Sequence, residues 1–212
     1  MLRFEGLCKS YRKQPIFHQA QLNLAPGVYA LQGPNGIGKS TLLSILAGAL
    51  PADGGEIWIN ELSMTHAPLA ARQHLSYVPD TSPIYPFMTG RELLDFVAKA
   101  KKTVVAPDIL ALIQHLGLAT HLQTRFAAMS LGTQKKFMLS AAWIAEPLVL
   151  LLDEPSNGLD IEARIFLARL FQEKSQSCTI LFATHDTDFV QAAGADVLMM
   201  AQIPGILEPN PQ

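Results

Sequence analysis

Nine consecutive residues constrain this chain more than any other stretch: Gly33-Pro34-Asn35-Gly36-Ile37-Gly38-Lys39-Ser40-Thr41. They fit the spacing G-x-x-x-x-G-K-[ST], with a further glycine inside it. Val28-Tyr29-Ala30-Leu31-Gln32 before them has the make-up of a buried strand, and Ser40 to Ala47 after them that of a helix. Lacking Cβ atoms, Gly33, Gly36 and Gly38 can take positive φ and turn successive backbone N–H groups toward one anion. The N-terminus of the following helix adds roughly half a positive charge. In such a cradle Lys39 is positioned to reach the β- and γ-phosphates of a nucleotide, and the Ser40 hydroxyl to ligate Mg²⁺. An ordinary glycine-rich turn is the competing reading, and the rest of the chain decides between them.

Strand and helix patterns alternate along the sequence. Leu2 to Leu7, Ile16 to Leu24 and the strand from Val28, the last two separated by Ala25-Pro26-Gly27, predict a small, largely antiparallel N-terminal sheet feeding a central one. Tyr11 falls in the first connection, where its ring suits either stacking on a nucleotide base or half-burial in the core. Past the cradle, Pro51 to Gly55 is a turn, Glu56-Ile57-Trp58-Ile59 alternates as a strand, and Leu75-Ser76-Tyr77-Val78 is another, ended by Pro79. The loop from Pro79 to Met88 is long for a compact domain and carries Tyr85 and Phe87, which points to a function.

Thr89-Gly90-Arg91-Glu92 is a capping box opening a helix from Leu93 to Ala100, and Pro107 to Leu116 repeats helical spacing. Residues 89–145 therefore read as an inserted helical subdomain within a catalytic core of about residues 1–88 and 146–212, one domain in all. Leu148 to Leu152 is continuously apolar, as a strand buried on both faces must be. Asp160 can cap a helix from Ile161 to Lys174; Thr179 to Ala183 is a second buried strand, Phe189 to Ala193 belongs to a short helix, and Val197 to Met200 is a last strand. This alternation implies an α/β fold with a central, mainly parallel sheet and ligands at the carboxyl ends of its strands.

Composition removes several function classes. A length of 212 residues suits one α/β domain with a small insertion. Sixteen Lys and Arg against eighteen Asp and Glu give a net charge of -2 and no electrostatic case for nucleic acid. Cys8 and Cys178 lie far apart without metal-ligand spacing, so buried, unreactive thiols in a reducing compartment are expected. Met1 to Glu5 carries an acid where the apolar region of a signal peptide would stand, and the richest apolar run, Ala141 to Leu152, is broken by Glu146 and Pro147. The expectation is an intracellular protein whose connection to a membrane runs through a partner.

Three further groups fall at the carboxyl edge of the sheet. Asp153 and Glu154 follow the Leu148–Leu152 strand, where one carboxylate can hold a magnesium shell and the next can polarise water. An acidic pair there also suits a helix N-cap, but Pro155 and the cradle favour the chemical role. His185, after the Thr179–Ala183 strand, sits at the same edge and can hydrogen-bond a γ-phosphate; taken alone, a His beside Asp186 is more often structural. Met129-Ser130-Leu131-Gly132-Thr133-Gln134 precedes a helix from Lys135 to Ala145, and Ser130, the Gly132 amide and a helix N-terminus make a second anion site. A second site beside a complete first one suggests ATP held between two copies of the fold.

Taken in order, these segments resemble the nucleotide-binding subunit of ABC (ATP-binding cassette) transporters over nearly the whole chain. Gly33 to Thr41 looks like Walker A, Leu148 to Glu154 like Walker B with its catalytic glutamate, and Ser156 to Asp160 like the D-loop. His185 matches the switch histidine and Tyr11 the base-stacking aromatic. Met129 to Lys136 is similar to the LSGGQ signature, with Leu131 for its first glycine and Thr133 for its glutamine. Asp80 stands where the family has its Q-loop glutamine; shorter and anionic, it implies a hold on Mg²⁺ through water.

The resemblance implies a P-loop ATPase of ABC type that uses ATP and Mg²⁺, with Ser40, Asp80 and Asp153 around the metal and Glu154 and His185 as catalytic groups. It implies that Gly33, Pro34, Asn35, Gly36, Gly38, Lys39, Ser40, Thr41 and Tyr11 bind the nucleotide on one side, and Ser130, Gly132, Thr133 and Gln134 on the other. Expected partners are a second ABC ATPase domain, identical or not, and a separate transmembrane permease that brings the subunit to the inner face of the cell membrane. Val78-Pro79-Asp80 and Met88 to Glu92 look like exporter-type cassettes. The rivals are a soluble ABC-type ATPase acting on ribosomes or DNA, which in translation factors pairs two cassettes in one chain, and a P-loop kinase, which has no use for Ser130.

Overall fold

The computed structural model describes residues 1–11 and 14–207 of the 212. Strands β1 (Leu2–Tyr11) and β2 (Gln14–Leu24) pair antiparallel, and β1 pairs on its other side with β4 (Gly54–Ile59), which carries the two-residue β5 (Leu62–Ser63). The inward residues of β1 are Leu2, Phe4 and Leu7, a spacing that departs from strict alternation. A register shift between Phe4 and Leu7 absorbs the extra residue and keeps all three side chains on the core face. Tyr11 ends β1, paired with Gln14, rather than lying in a connection.

The second sheet is wholly parallel, in the order β6 (Leu75–Val78), β7 (Val149–Asp153), β8 (Thr179–Ala183), β3 (Gly27–Gln32), β9 (Asp196–Met199). Its middle strands explain their own sequences. In β7, Val149 and Leu151 enter the core shared with the antiparallel sheet and α1 (Lys39–Leu46), while Leu150 and Leu152 enter the core under the remaining helices. In β8, Leu181 and Ala183 face the first core, Ile180 and Phe182 the second. A strand with an apolar layer on each side has no place for polar alternation. The Cys178 thiol, just before β8, is buried and pushed up to about 12, so it is the inert group expected; Cys8 is only partly buried.

The helices beneath that second core are α3 (Gly90–Ala100), α4 (Pro107–His115), α5 (Leu131–Ala142), α6 (Ile161–Lys174) and α7 (Thr187–Ala192). The short α2 (Pro68–Gln73) lies between β5 and β6. The capping box of α3 forms as expected: Thr89 accepts from the Glu92 N–H, and Glu92 accepts from the Thr89 N–H at 2.8 Å. Two differences from the sequence reading concern α5. Ser130 is its N-cap, accepting from the Thr133 N–H at 3.1 Å, so the helix starts at Leu131 instead of Lys135. It stops at Ala142 instead of Ala145, and Ala145 and Glu146 then take left-handed φ of 67° and 44° to turn the chain into β7. Similarly, Asp186 caps α7 two residues earlier than periodicity indicates, accepting from the Phe189 N–H at 3.0 Å.

Candidate functional site

The carboxyl ends of four parallel strands meet at one edge. From β3 comes the cradle, from β6 Asp80, from β7 Asp153 and Glu154, and from β8 Thr184 and His185. Asn35, Gly36, Gly38, Lys39, Ser40 and Thr41 line an open cleft of 340 Å³ together with Asp80, Asp153, Glu154 and His185. Gly33 and Pro34 line the adjoining hollow, which His185 also borders. These expected residues, distant in sequence, are thus brought together.

The cradle has the conformation that its composition anticipated. Gly36 and Gly38 have φ of 81° and 104°. A Cβ on Gly36 would touch nothing, so its demand is purely conformational, whereas at Gly38 the Phe17 ring also stands 3.2 Å from where a Cβ would be. Helix α1 begins at Lys39 with no side-chain cap and no acid in its first turn. Its first N–H groups are therefore left for an external acceptor, and the positive helix end faces no competing carboxylate of its own. The Lys39 amine is almost covered and donates to the carbonyls of Gly33 at 2.8 Å and Pro34 at 3.2 Å, folded back over the loop it serves. An anion fits this arrangement.

The strand ends carry the opposite charge. Burial pushes the Asp153 carboxyl up against a lowering hydrogen bond from Ser40; the nearby Asp80 charge also raises it, and Lys135 and Lys39 pull it down. Ser40, Asp80 and Asp153 supply only oxygen donors, the kind that Mg²⁺ takes. Among the described residues no cluster of three or more His, Cys, Asp or Glu could enclose a metal. A cation here therefore suits a partly open shell completed by water and phosphate oxygens.

Glu154 is aimed by its backbone and held by its neighbours. Its φ of 46° is left-handed, a costly choice for a residue with a side chain, and its N–H donates to the Ala183 carbonyl at 2.9 Å. Thr184 Oγ1 donates to Glu154 Oε2 at 3.0 Å and accepts from the Asp186 N–H at 3.1 Å. His185 Nε2 lies 3.7 Å from Glu154 Oε1. A carboxylate fixed on one oxygen, with the other facing an imidazole in an open cleft, is suited to accept a proton from water.

The remaining expected residues lie elsewhere. Ser130, Leu131, Gly132 and Thr133 form the exposed or half-exposed start of α5 and take no part in lining the cleft. Gly132 is fixed by a close approach, since a Cβ there would collide with the Gly158 carbonyl. Gln134 turns its amide inward, donating to the carbonyls of Phe126 at 2.8 Å and Met129 at 3.4 Å, so it braces the turn ahead of the helix. Tyr11 is about half exposed and does not line the cleft; its ring centre is 5.6 Å from the Lys9 amine. Two residues escaped the sequence reading: Thr184, whose place between a strand end and His185 was a usable signal, and Lys135, for which no local signal exists.

A glycine cradle, an uncapped helix, and a carboxylate pair at the end of β7, two strands away in the same parallel sheet, define a P-loop nucleoside triphosphatase of the ATP-binding cassette type. Residues 17–157, more than half of the 212, match the family described as ABC transporter, and the chain belongs to that family. It is 28% identical over 201 residues to the linearmycin resistance ATP-binding protein LnrL of Bacillus subtilis, covering 90% of this chain and 63% of that protein. It is also 28% identical over 216 residues to the spermidine/putrescine import ATP-binding protein PotA of Vibrio parahaemolyticus, covering 98% of this chain and 56% of that protein. The chain thus spans about three fifths of the length of the curated relatives it matches. Among solved structures, one described as the ATP binding subunit of an ABC transporter superposes with a TM-score of 0.84 at 27% identity, over 94% of this chain and 85% of that one.

Proposed function

We propose that this chain binds ATP with Mg²⁺ and hydrolyses it as the motor subunit of a transporter, two nucleotide-binding domains closing on the nucleotide. The observation that carries the reading is the cleft itself: cradle and carboxylates converge there, with Glu154 held by Thr184 at 3.0 Å beside Asp153. In this reading the cradle amides and Lys39 hold the phosphates, and Ser40, Asp153 and, through water, Asp80 hold the metal. Bound Mg²⁺ supplies charge neutralisation on the phosphate oxygens. Glu154 orients the attacking water and takes its proton, while His185 braces the terminal phosphate.

The exposed start of α5, with the Ser130 hydroxyl and a free helix end, supports a role toward a second domain's nucleotide. Residues 89–145 act as a helical subdomain, and Tyr11 stacks on the base. In this reading the partner is a separate permease, with the subunit on the cytoplasmic face of the membrane, as the match to the ABC transporter family supports; no helix among the described residues is long and apolar enough to cross a membrane. The exposed, stacked rings of Tyr85 and Phe87, 5.4 Å apart in the long loop, and Phe96 on α3 offer that partner an apolar surface. Export as the direction rests on the resemblance of Val78 to Asp80 and Met88 to Glu92; the relatives include proteins named for resistance and for import.

The test pairs two variants. Glu154→Gln should bind ATP normally, hydrolyse it at least about 100-fold more slowly, and accumulate as an ATP-bound dimer on size exclusion. Lys39→Ala should lose tight ATP binding. Wild-type turnover in Glu154→Gln would remove Glu154 from the role, and ribosomes or nucleic acid in place of a polytopic membrane protein on co-purification would end the transport reading.

A further inference from the structure

Behind the cleft's carboxylates lies a second amine that none of these roles uses. Lys135, on the second turn of α5, is 5% exposed. Its Nζ donates to the main-chain carbonyls of Asp153 at 3.0 Å, Pro79 at 3.1 Å and Asp80 at 3.4 Å, and lies 3.9 Å from Asp80 Oδ1. Three N–H donors meet three carbonyls, so the ammonium is held by backbone from two strand ends and cannot swing. Burial pulls Lys135 down, and the charges of Asp80, Asp153 and Glu154 hold it up. Burying a charge without a close carboxylate partner is costly, and an uncharged stem of the same length could fill the space. The expense falls beside the carboxylates that face the cleft.

We propose that Lys135 is a positioning residue that sets the charge balance on the cation side of the site. It tethers Asp80 and offsets the Asp80, Asp153 and Glu154 charges, so that the strand ends attract a divalent cation without repelling the phosphates that accompany it. Because Lys135 belongs to α5, the same bonds register the Ser130 end of that helix against the ends of β6 and β7. This deepens the ATP reading above and rests on it. Asp80 matters here for a physical reason: a glutamine at that position would carry no charge for the amine to hold, whereas a carboxylate gives the fixed ammonium a movable counter-ion, half exposed and free to turn toward a cation.

Two opposite-signed measurements test this, each made away from turnover. ATP affinity is titrated in EDTA, and Mn²⁺ affinity without nucleotide is titrated by electron paramagnetic resonance, on wild type, Lys135→Met, Asp80→Asn and the double variant. Loss of the Lys135 charge should weaken metal-free ATP about fivefold and tighten Mn²⁺ about fivefold, the scale of one part-screened charge pair. Asp80→Asn should shift both in the reverse direction, by less in the Lys135→Met background than alone. Lys135→Gln keeps an N–H donor for the carbonyls and should give the same split if Lys135→Met fails to fold. Both affinities falling together in the lysine variants, or Asp80→Asn acting identically with and without Lys135, would overturn the assignment. A wild-type protein that binds no ATP would overturn the nucleotide reading itself, which is a different result.

Discussion

Replacing Thr184 with valine preserves shape and removes one hydroxyl, so it isolates what that hydroxyl does for Glu154. Thr184 is 1% exposed and makes two bonds: it donates to Glu154 Oε2 at 3.0 Å and accepts from the Asp186 N–H at 3.1 Å. A hydrogen bond to a charged group is worth about 1.5–3 kcal/mol, and an orphaned buried N–H costs about 1–3 kcal/mol. Glu154 can recover water from the cleft and the Asp186 amide cannot recover as easily, so a net loss of about 2 kcal/mol is expected. In a chain of this size that lowers the melting temperature by about 4–8 °C. If the bond also fixes the carboxylate for its proton transfer, the same 1.5–3 kcal/mol appears in the barrier as a roughly 10- to 150-fold fall in kcat. KM for ATP should stay put, because the Thr184 hydroxyl bonds only Glu154 and the Asp186 amide and none of the cradle's groups. Steady-state phosphate release with a parallel thermal melt measures both, and Thr184→Ser, which keeps the oxygen, should recover most of kcat. A melt that drops while kcat holds would show that Thr184 only packs, and the aiming of Glu154 would have to be credited to its backbone alone.

Two further outcomes follow from close contacts and charge. Gly132→Ala places a methyl against the Gly158 carbonyl, so ATP-driven dimerisation on size exclusion should be lost while nucleotide binding to the single chain persists, with a stability cost of about 1–3 kcal/mol. Lys101 is pulled by burial to about 8 although its Nζ donates to the carbonyls of Arg72 at 2.7 Å and Gln73 at 3.1 Å. Its folded pKa lies below its unfolded one, so between about pH 8 and pH 10.4 the unfolded chain keeps a proton that the folded chain has released, and stability rises with pH through that window. Urea unfolding should therefore show wild type gaining about 1 kcal/mol on Lys101→Met between pH 7.5 and pH 9.5, after discounting for solvent at the half-covered amine and for the donor that a neutral amine gives up.

What the sequence disclosed was local or periodic. The cradle could be read because its conformational demands fall on adjacent residues, and β7 and β8 because apolar layers on both sides leave an unbroken apolar run. The start of α5 was misjudged because the apolar side chains that bury the helix begin at Phe137, past the Ser130 cap that opens it. Six residues in α2 and two in β5 are too few to show a period. Glu154 and His185 could be read from their places just past two buried strands, and the resemblance to a family singled them out as the catalytic glutamate and switch histidine. Lys135 was beyond either route, since its acceptors lie 18 to 56 residues away and are carbonyls, which every residue carries.

The Ser130 end of α5 and the cleft are separated, yet contacts run between them without a break. Gly132 at the start of α5 approaches the Gly158 carbonyl, and on the next turn Lys136 pairs with Asp160 at 2.5 Å. Asp160 caps α6, from which Arg164 reaches the Ser156 carbonyl at 3.4 Å and Asp186 at 3.3 Å; the Asp186 amide bonds Thr184, and Thr184 holds Glu154. Contiguity alone is no proof of coupling. What gives this route physical content is its unsettled middle. Among the described residues, Ser156 Oγ is buried without a hydrogen-bond partner, at a cost on the order of 1–3 kcal/mol, and Asp186 Oδ2 is buried with only the ion pair to Arg164 at 3.3 Å, outside hydrogen-bond geometry. A turn that carries that expense in the single chain is biased toward any arrangement that pairs those atoms, and a second domain seated on Gly132 and Gly158 would press on the segment that has to move.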